Sequence, residues 1–204
     1  MPVNEYIYTV PSTDTSNAWV NNDNTFGYVG LDGTSFRAFR ENGGCMVNKK
    51  PVTETFFVLK INHRANPIDA EYAYTMLPNA TVAQTQKFAK NPTVEILAHT
   101  KAVHAVRDTE TGIIGINAFE ANHSVCGVTV KQPCSLILNG DTVYVSDPTQ
   151  TLAELCLEFD EISGIELIPK SNPDESPDEI VLNGNTVTVM MPIHGRTYGF
   201  RVIK

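Results

Sequence analysis

Two segments of this chain echo each other, and the echo limits what the chain can fold into. Ser135–Val145 reads SLILNGDTVYV and Glu179–Val189 reads EIVLNGNTVTV. Each joins one apolar alternating stretch to another through Asn-Gly. A period of two puts successive side chains on opposite faces of a sheet, so each segment predicts a hairpin with one buried face. Asn-Gly is the favoured central pair of a type I′ turn, in which both residues need positive φ. The expected turns are therefore centred on Asn139-Gly140 and Asn183-Gly184.

The same alternation recurs along the chain, in segments such as Thr53–Ile61, Ala70–Met76, Val94–His99, Ala102–Arg107, Gly112–Phe119, Leu152–Phe159 and Thr197–Ile203. They are rich in Val, Ile, Thr, Tyr and Phe and are bounded by Gly, Pro, Asn or Asp, which is strand composition. Glu5–Val10 and Ala18–Val29 read as the first strands. Gly43-Gly44 reads as a turn between strands. Only Val82–Lys90 reads as a helix, capped by Thr81 or Asn79 and stopped ahead of Pro92. Pro169–Asp178 (PKSNPDESPD) reads as an exposed loop. The fold class is all-β: an antiparallel β-sandwich, then a smaller C-terminal β-sandwich, with one short helix near 82–90.

Charge suggests where to divide the chain. Residues 1–122 carry ten Lys/Arg against twelve Asp/Glu, and residues 123–204 carry five against eleven. The step predicts domains at 1–122 and 123–204. A net charge of -8 with no basic run repels nucleic acid and anionic lipid, so neither is expected as a partner. It also opposes tight binding of a polyanionic glycan. No apolar run approaches the ~20 residues of a membrane-spanning helix. MPVNEYIYTV shows no basic segment leading an apolar one, so no signal peptide is visible.

Motifs for chemistry are sparse. Cys45, Cys126, Cys134 and Cys156 include no CxxC pair, so four unpaired thiols are expected; a Cys126–Cys134 bridge across a hairpin is the alternative. No GxSxG, HExxH or phosphate-cradling glycine loop occurs. No cofactor, metal site or catalytic residue is expected. Asn21-Asn22-Asp23-Asn24 has oxygens suited to calcium but not the EF-hand register, and an Asx-rich turn accounts for it better. The histidines His63, His99, His104, His123 and His194 and the tyrosines Tyr28, Tyr72 and Tyr74 are the residue types an acid–base reaction would need. His99 and His104 sit among strand residues and read as half-buried strand histidines.

Four segments occur in one order: AWVNNDNTFGYV at 18–29, NHRANPIDAEYAYTMLPNAT at 62–81, NPTVEILAHTKAVHAV at 91–106 and VSDPTQ at 145–150. Together they resemble the C-terminal β-region of polysaccharide lyase family 8, the hyaluronate, chondroitin and xanthan lyases. The resemblance runs over roughly residues 17–204. Here His63-Arg64-Ala65 stands where the family usually carries His-Gly. The resemblance implies the second half of a large β-supersandwich followed by a small β-sandwich. It also implies a helical toroid elsewhere, which carries the Asn, His, Tyr and Arg of β-elimination, and an extracellular location.

Sugar binding is the positive option that remains. An exposed aromatic ring beside amides and carboxylates suits a pyranose, and Trp19 with Asn21, Asn22, Asp23 and Tyr28 is the best such grouping. His63 and Arg64 at the polar corner complete the candidate set. The alternative for Trp19 is a ring packed into the sandwich edge. Three functions follow. The chain is a noncatalytic, carbohydrate-binding-like accessory module, a part of a lyase whose catalytic residues lie on another domain, or a stand-alone structural protein reusing the fold. A polysaccharide or glycosaminoglycan, a catalytic toroid and a second copy pairing along an exposed sheet edge are the expected partners.

Overall fold

The computed structural model describes residues 17–63, 65–169, 178–192 and 195–204. Two compact units divide at Pro92/Thr93. In the first, β1 (Trp19–Asn22), β2 (Phe26–Leu31) and β5 (Ala73–Pro78) form an antiparallel sheet in the order β1-β2-β5, and β3 (Arg37–Val47) and β4 (Lys50–Lys60) form a long hairpin. That hairpin turns at Asn48-Lys49, where φ is 49° and 63°. The expected turn at Gly43-Gly44 is instead continuous strand, with Gly43 opposite Glu54. A Cβ on Gly43 would come within 2.8 Å of the Phe56 ring, so glycine here makes room for an aromatic on the partner strand. The expected strand Glu5–Val10 lies outside the described residues, as does nearly all of the Pro169–Asp178 loop.

Helix α1 (Val82–Lys90) forms where the sequence predicts it. Thr81 caps it: the Gln84 amide donates to Thr81 Oγ1 at 3.2 Å, and the Thr81 amide donates to Gln84 Oε1 at 2.8 Å. This capping box satisfies two amides that the first turn would leave bare. The helix lies on the sheet through Thr85, which is fully buried. A Cβ at Gly27 would fall 2.3 Å from Thr85 Oγ1, so β2 needs glycine at that point.

The second unit is a two-sheet sandwich. Its strands are β6 (Val94–His99), β7 (Val103–Asp108), β8 (Ile114–Ala118), β9 (His123–Val125), β10 (Val128–Val130), β11 (Cys134–Asn139), β12 (Thr142–Ser146), β13 (Glu154–Phe159), β14 (Gly164–Leu167), β15 (Ile180–Asn183), β16 (Thr186–Met190) and β17 (Thr197–Ile203). The larger sheet runs β14-β17-β12-β11-β8-β7-β6 and the smaller β15-β16-β13-β10-β9. Val103, Ile116, Leu136, Val145, Tyr198 and Phe200 of the larger sheet share one core with Val128, Leu155, Leu157, Val187 and Val189 of the smaller. Cys134 joins this core as a free thiol, and Cys126 and Cys156 are free as well, so the alternative Cys126–Cys134 bridge does not form. Burial pushes the Cys134 thiol up to about 12, with the Asp147 carboxylate adding to the shift.

The boundary expected near residue 122 falls inside this sandwich, because β8 pairs with β11 and completes the larger sheet. The division at residue 92 also sharpens the charge step. Residues 1–92 hold eight Lys/Arg against eight Asp/Glu, and residues 93–204 hold seven against fifteen. The whole net charge of the chain therefore belongs to the second unit.

Both echoed hairpins form, with a different turn from the one expected. Asn139 pairs with Thr142, and Asn183 pairs with Thr186. The two-residue loops are therefore Gly140-Asp141 and Gly184-Asn185. In each, only the glycine has positive φ, at 59°, which is the type II′ pattern. The register explains the choice. It sets Leu136 against Val145 and Leu138 against Val143, whereas an Asn-Gly-centred loop would set Leu138 against Asp141.

Asp147, in the VSDPTQ segment, fastens the loop between β12 and β13. Its Oδ1 accepts from the Thr149 amide (2.8 Å) and hydroxyl (2.6 Å), and its Oδ2 accepts from the amides of Thr151 (2.7 Å) and Leu152 (2.8 Å). Burial by itself would raise this carboxyl, but the hydrogen bonds from Thr149, Leu152 and Thr151 outweigh it and hold the pKa at about 2. The unfolded carboxyl titrates near its ordinary ~3.9. The stabilisation is thus complete above pH ~4 and disappears as pH falls toward the folded value. In Asp147→Asn an amide nitrogen confronts amide donors, and the expected loss is about 2–3 kcal/mol at neutral pH. Urea unfolding from pH 7 to 2 checks this, because the gap between wild type and variant should close across the acid range.

Candidate functional site

The aromatic–amide grouping suggested by sequence does not assemble as one surface. Val20 pairs with Tyr28 and Trp19 with Val29. Cross-strand partners share a face, so Trp19 and Tyr28 point to opposite sides of the sheet. The cause is the loop between β1 and β2. Asn22 pairs with Phe26, which leaves three residues (Asp23, Asn24, Thr25) in the turn. A two-residue turn would have set Trp19 against Tyr28.

The Asx run is spent on structure. Asn21 Nδ2 donates to the Ala80 carbonyl and to Thr85 Oγ1, both at 2.8 Å, and Asn21 Oδ1 accepts from the Asn24 amide at 2.7 Å. Asn24 Oδ1 accepts from the Val82 amide at 2.9 Å. The run therefore clamps the start of α1 to the β1–β2 turn. Arg40 donates to Asn22 Oδ1 at 2.7 Å and forms a salt bridge with Asp23. Among the described residues no grouping of His, Cys, Asp and Glu is arranged to hold a metal ion.

Tyr28 stacks on Phe57, with ring centroids 5.6 Å apart, and belongs to the margin of the small core around Val20, Phe36 and Ala38. His63 has a different setting. Its ring lies 5.5 Å from Tyr72, and Tyr72 lies 6.3 Å from Tyr74 in a stacked arrangement. Both tyrosines are exposed, at 50% and 41%. The structure thus joins one predicted residue, His63, to an open aromatic ladder. Arg64 lies outside the described residues. The alternation in Glu71-Tyr72-Ala73-Tyr74 was the available signal, since every second residue of an edge strand with one covered face must point outward.

A second candidate lies on the outer face of the larger sheet in the second unit. It is a shallow cavity of about 360 Å³, lined by residues that include His104, Val106, Asn117, Ile137, Tyr144 and Thr197. His104 makes edge contacts with the rings of His99 and Phe119, each at 5.0 Å. The residue types there include His, Asn and Tyr, which invites an acid–base reading. Geometry opposes it. His104 stands on β7 and Tyr144 on β12, three strand spacings away, or ~14 Å at the usual spacing. Proton transfer needs hydrogen-bond reach to one reacting centre. The lining also contains no Lys or Arg to neutralise a substrate carboxylate. His194 lies outside the described residues.

Comparison with known proteins gives this geometry its context. Residues 95–155 match the model of the polysaccharide lyase family 8 C-terminal β-sandwich domain. The hyaluronate lyase HylB of Enterococcus faecalis is 33% identical over 104 residues, which is 48% of this chain and 10% of that protein. A xanthan lyase of Bacillus is 28% identical over 116 residues, 51% of this chain and 12% of that protein. Among solved structures, a chondroitin AC lyase of Streptomyces coelicolor superposes with a TM-score of 0.64 at 19% identity, covering 93% of this chain and 27% of the enzyme. A Paenibacillus xanthan lyase gives 0.65 at 22%, covering 88% and 19%. The chain thus spans about a tenth of the length of these curated relatives and under a third of the solved chains.

The clamp around Asn21 predicts a stability effect. Asn21→Ala takes away one of the two hydrogen bonds of the buried Thr85 hydroxyl, which keeps its bond to the Thr81 carbonyl, and removes the donor to the Ala80 carbonyl. The expected cost is about 1–3 kcal/mol. Chemical denaturation followed by circular dichroism measures it. Tyr72→Ala, on an exposed ring, should change stability by less than about 0.5 kcal/mol in the same assay.

Proposed function

From a chain that carries the C-terminal β-region of polysaccharide lyase family 8, we propose a noncatalytic accessory module that flanks a catalytic domain and holds polysaccharide for it. One observation carries the reading: nine-tenths of the chain superposes on lyases while filling little more than a quarter of them. The part of such an enzyme that this chain resembles is a β-scaffold. The spacing of His104 and Tyr144 agrees with chemistry placed elsewhere.

The glycan-holding role rests on the His63–Tyr72–Tyr74 ladder in the first unit. That unit is electrically balanced, so it does not repel an anionic chain as the second unit does. Stacked, half-exposed tyrosines offer the flat apolar faces on which a pyranose packs. Hyaluronan and xanthan, the polymers in the relatives' names, lie outside cells, so the same reading carries an extracellular location. Among the described residues the β1-β2-β5 sheet ends in unpaired edges, which supports pairing with a second copy.

Two measurements test the proposal. The 204-residue chain incubated with hyaluronan, chondroitin sulfate or xanthan should release no unsaturated uronate by ultraviolet absorbance, and release above background would overturn a noncatalytic role. In affinity electrophoresis through gels containing the same polymers, the chain should be retarded by at least one. Tyr72→Ala combined with Tyr74→Ala should abolish most of that retardation.

A further inference from the structure

The outer face of the larger sheet is ordered in a way that the cavity lining alone does not convey. Strand register aligns His99, His104, Asn117, Ser135, Ser146 and Thr197 in one straight row across β6, β7, β8, β11, β12 and β17. Two residues further along each strand, Val106, Gly115, Ile137, Tyr144 and Gly199 form a second row, parallel to the first. The first row is entirely polar. The second is apolar apart from the Tyr144 hydroxyl; Gly115 lowers the floor of the cavity, and Gly199 makes room for the Tyr144 ring.

Much of the polar row's hydrogen-bonding capacity is unspent. Ser135 donates to Asn117 Oδ1 at 2.6 Å. Among the described residues, the Asn117 amide nitrogen and the hydroxyls of Tyr144, Ser146 and Thr197 have no protein partner. Ile137, Val106 and Tyr144 are exposed at 48%, 43% and 37%, so the apolar row is open to a ligand. No Asp, Glu, Lys or Arg lines the cavity, and the surrounding unit carries the whole negative charge of the chain. A polyanion is disfavoured there, since Arg201, two residues beyond Gly199 on the same face, is already paired with Glu166 at 3.4 Å.

We propose that these two rows form a binding track for a neutral, extended pyranose chain lying across the strands. Each sugar presents an apolar ring face to Val106, Ile137 or Tyr144 and directs its hydroxyls to the polar row. Adjacent strands stand ~4.8 Å apart, close to the advance of one ring in an extended equatorially linked chain, so the track offers one subsite per strand. The inference takes its ligand class from the reading of the chain as part of a polysaccharide-acting protein. It assigns a place and a charge class distinct from the His63–Tyr72–Tyr74 ladder.

The test uses the full chain, with cellohexaose as the neutral probe and a hyaluronan hexasaccharide as the anionic one, by isothermal titration calorimetry. Cellohexaose should bind saturably, with an affinity that barely changes with salt. Tyr144→Ala should weaken it about tenfold, the loss expected for one aromatic platform. Gly115→Val fills the trough without removing any contact. A Cβ there meets only Val106 Cγ2, at 3.8 Å, so the variant should keep the wild-type circular dichroism spectrum and also lose binding about tenfold. Absence of saturable cellohexaose binding, or binding untouched by both variants, overturns the track. If only the hyaluronan probe binds, and Tyr72→Ala removes it, the track falls and the accessory role stands. Self-association that Gly115→Val abolishes would also overturn the proposal, by assigning the face to a second copy.

Discussion

The two-residue pleat is the constraint on which residues 93–204 depend. Once Tyr198 and Phe200 are sealed between the sheets, Thr197 and Gly199 have no choice but to face outward. The same holds for Ser135 and Ile137 around Leu136, and for Tyr144 and Ser146 around Val145. Burial of one face therefore writes the other. At about 25 cal/mol per Å² of apolar area, a core of this kind fixes register far more strongly than any surface contact can. The regularity of the outer rows is inherited from the inside of the sandwich.

Most elements were legible in the sequence because their signals are local. Alternation identified strands, the cap candidates Thr81 and Asn79 marked the helix start to within two residues, and the all-β class followed. What escaped depends on contacts between distant residues or on a single turn. β8 joins β11 across two intervening strands, so the division at residue 92 left its trace in charge rather than in any linker. The charge step at 122 was real but diluted; moving it to 92 leaves the first unit balanced. Gly43-Gly44 looks like a turn until Phe56 on the partner strand is known to lie over it. The fate of Trp19 and Tyr28 was decided by one residue, because a three-residue loop reverses the parity that a two-residue loop would give. Asn139-Gly140 and Asn183-Gly184 marked the hairpins correctly, but the pairing of leucine with valine moved both loops by one position.

The candidate site was less legible than the fold. Residues that look like ligands by composition, such as Asn21, Asn22 and Asp23, serve to fasten a helix and an arginine. Residues that compose an outward row are each unremarkable in sequence, since His104, Asn117, Ser135 and Thr197 come from segments far apart. Only register brings them into line. The superpositions on lyases extend the fold assignment across nearly the whole chain, beyond the residues matched in sequence. Sequence similarity and shape thus describe the same β-region at two ranges.

Glycine in the interior of a strand is a concession, costing roughly 0.5–1 kcal/mol relative to alanine. Gly115 and Gly199 both sit in strands flanked on either side by other strands. They differ in how replaceable they are. A Cβ at Gly199 would press on the Tyr144 ring at 3.0 Å, while one at Gly115 meets nothing closer than 3.8 Å. Gly115 is therefore a position where a β-branched residue would make the sheet sturdier. Selection for thermal endurance alone would be expected to remove this glycine first and flatten the surface. The hollow on this sheet thus carries a standing thermodynamic cost, and its persistence would mark a trade of robustness against recognition.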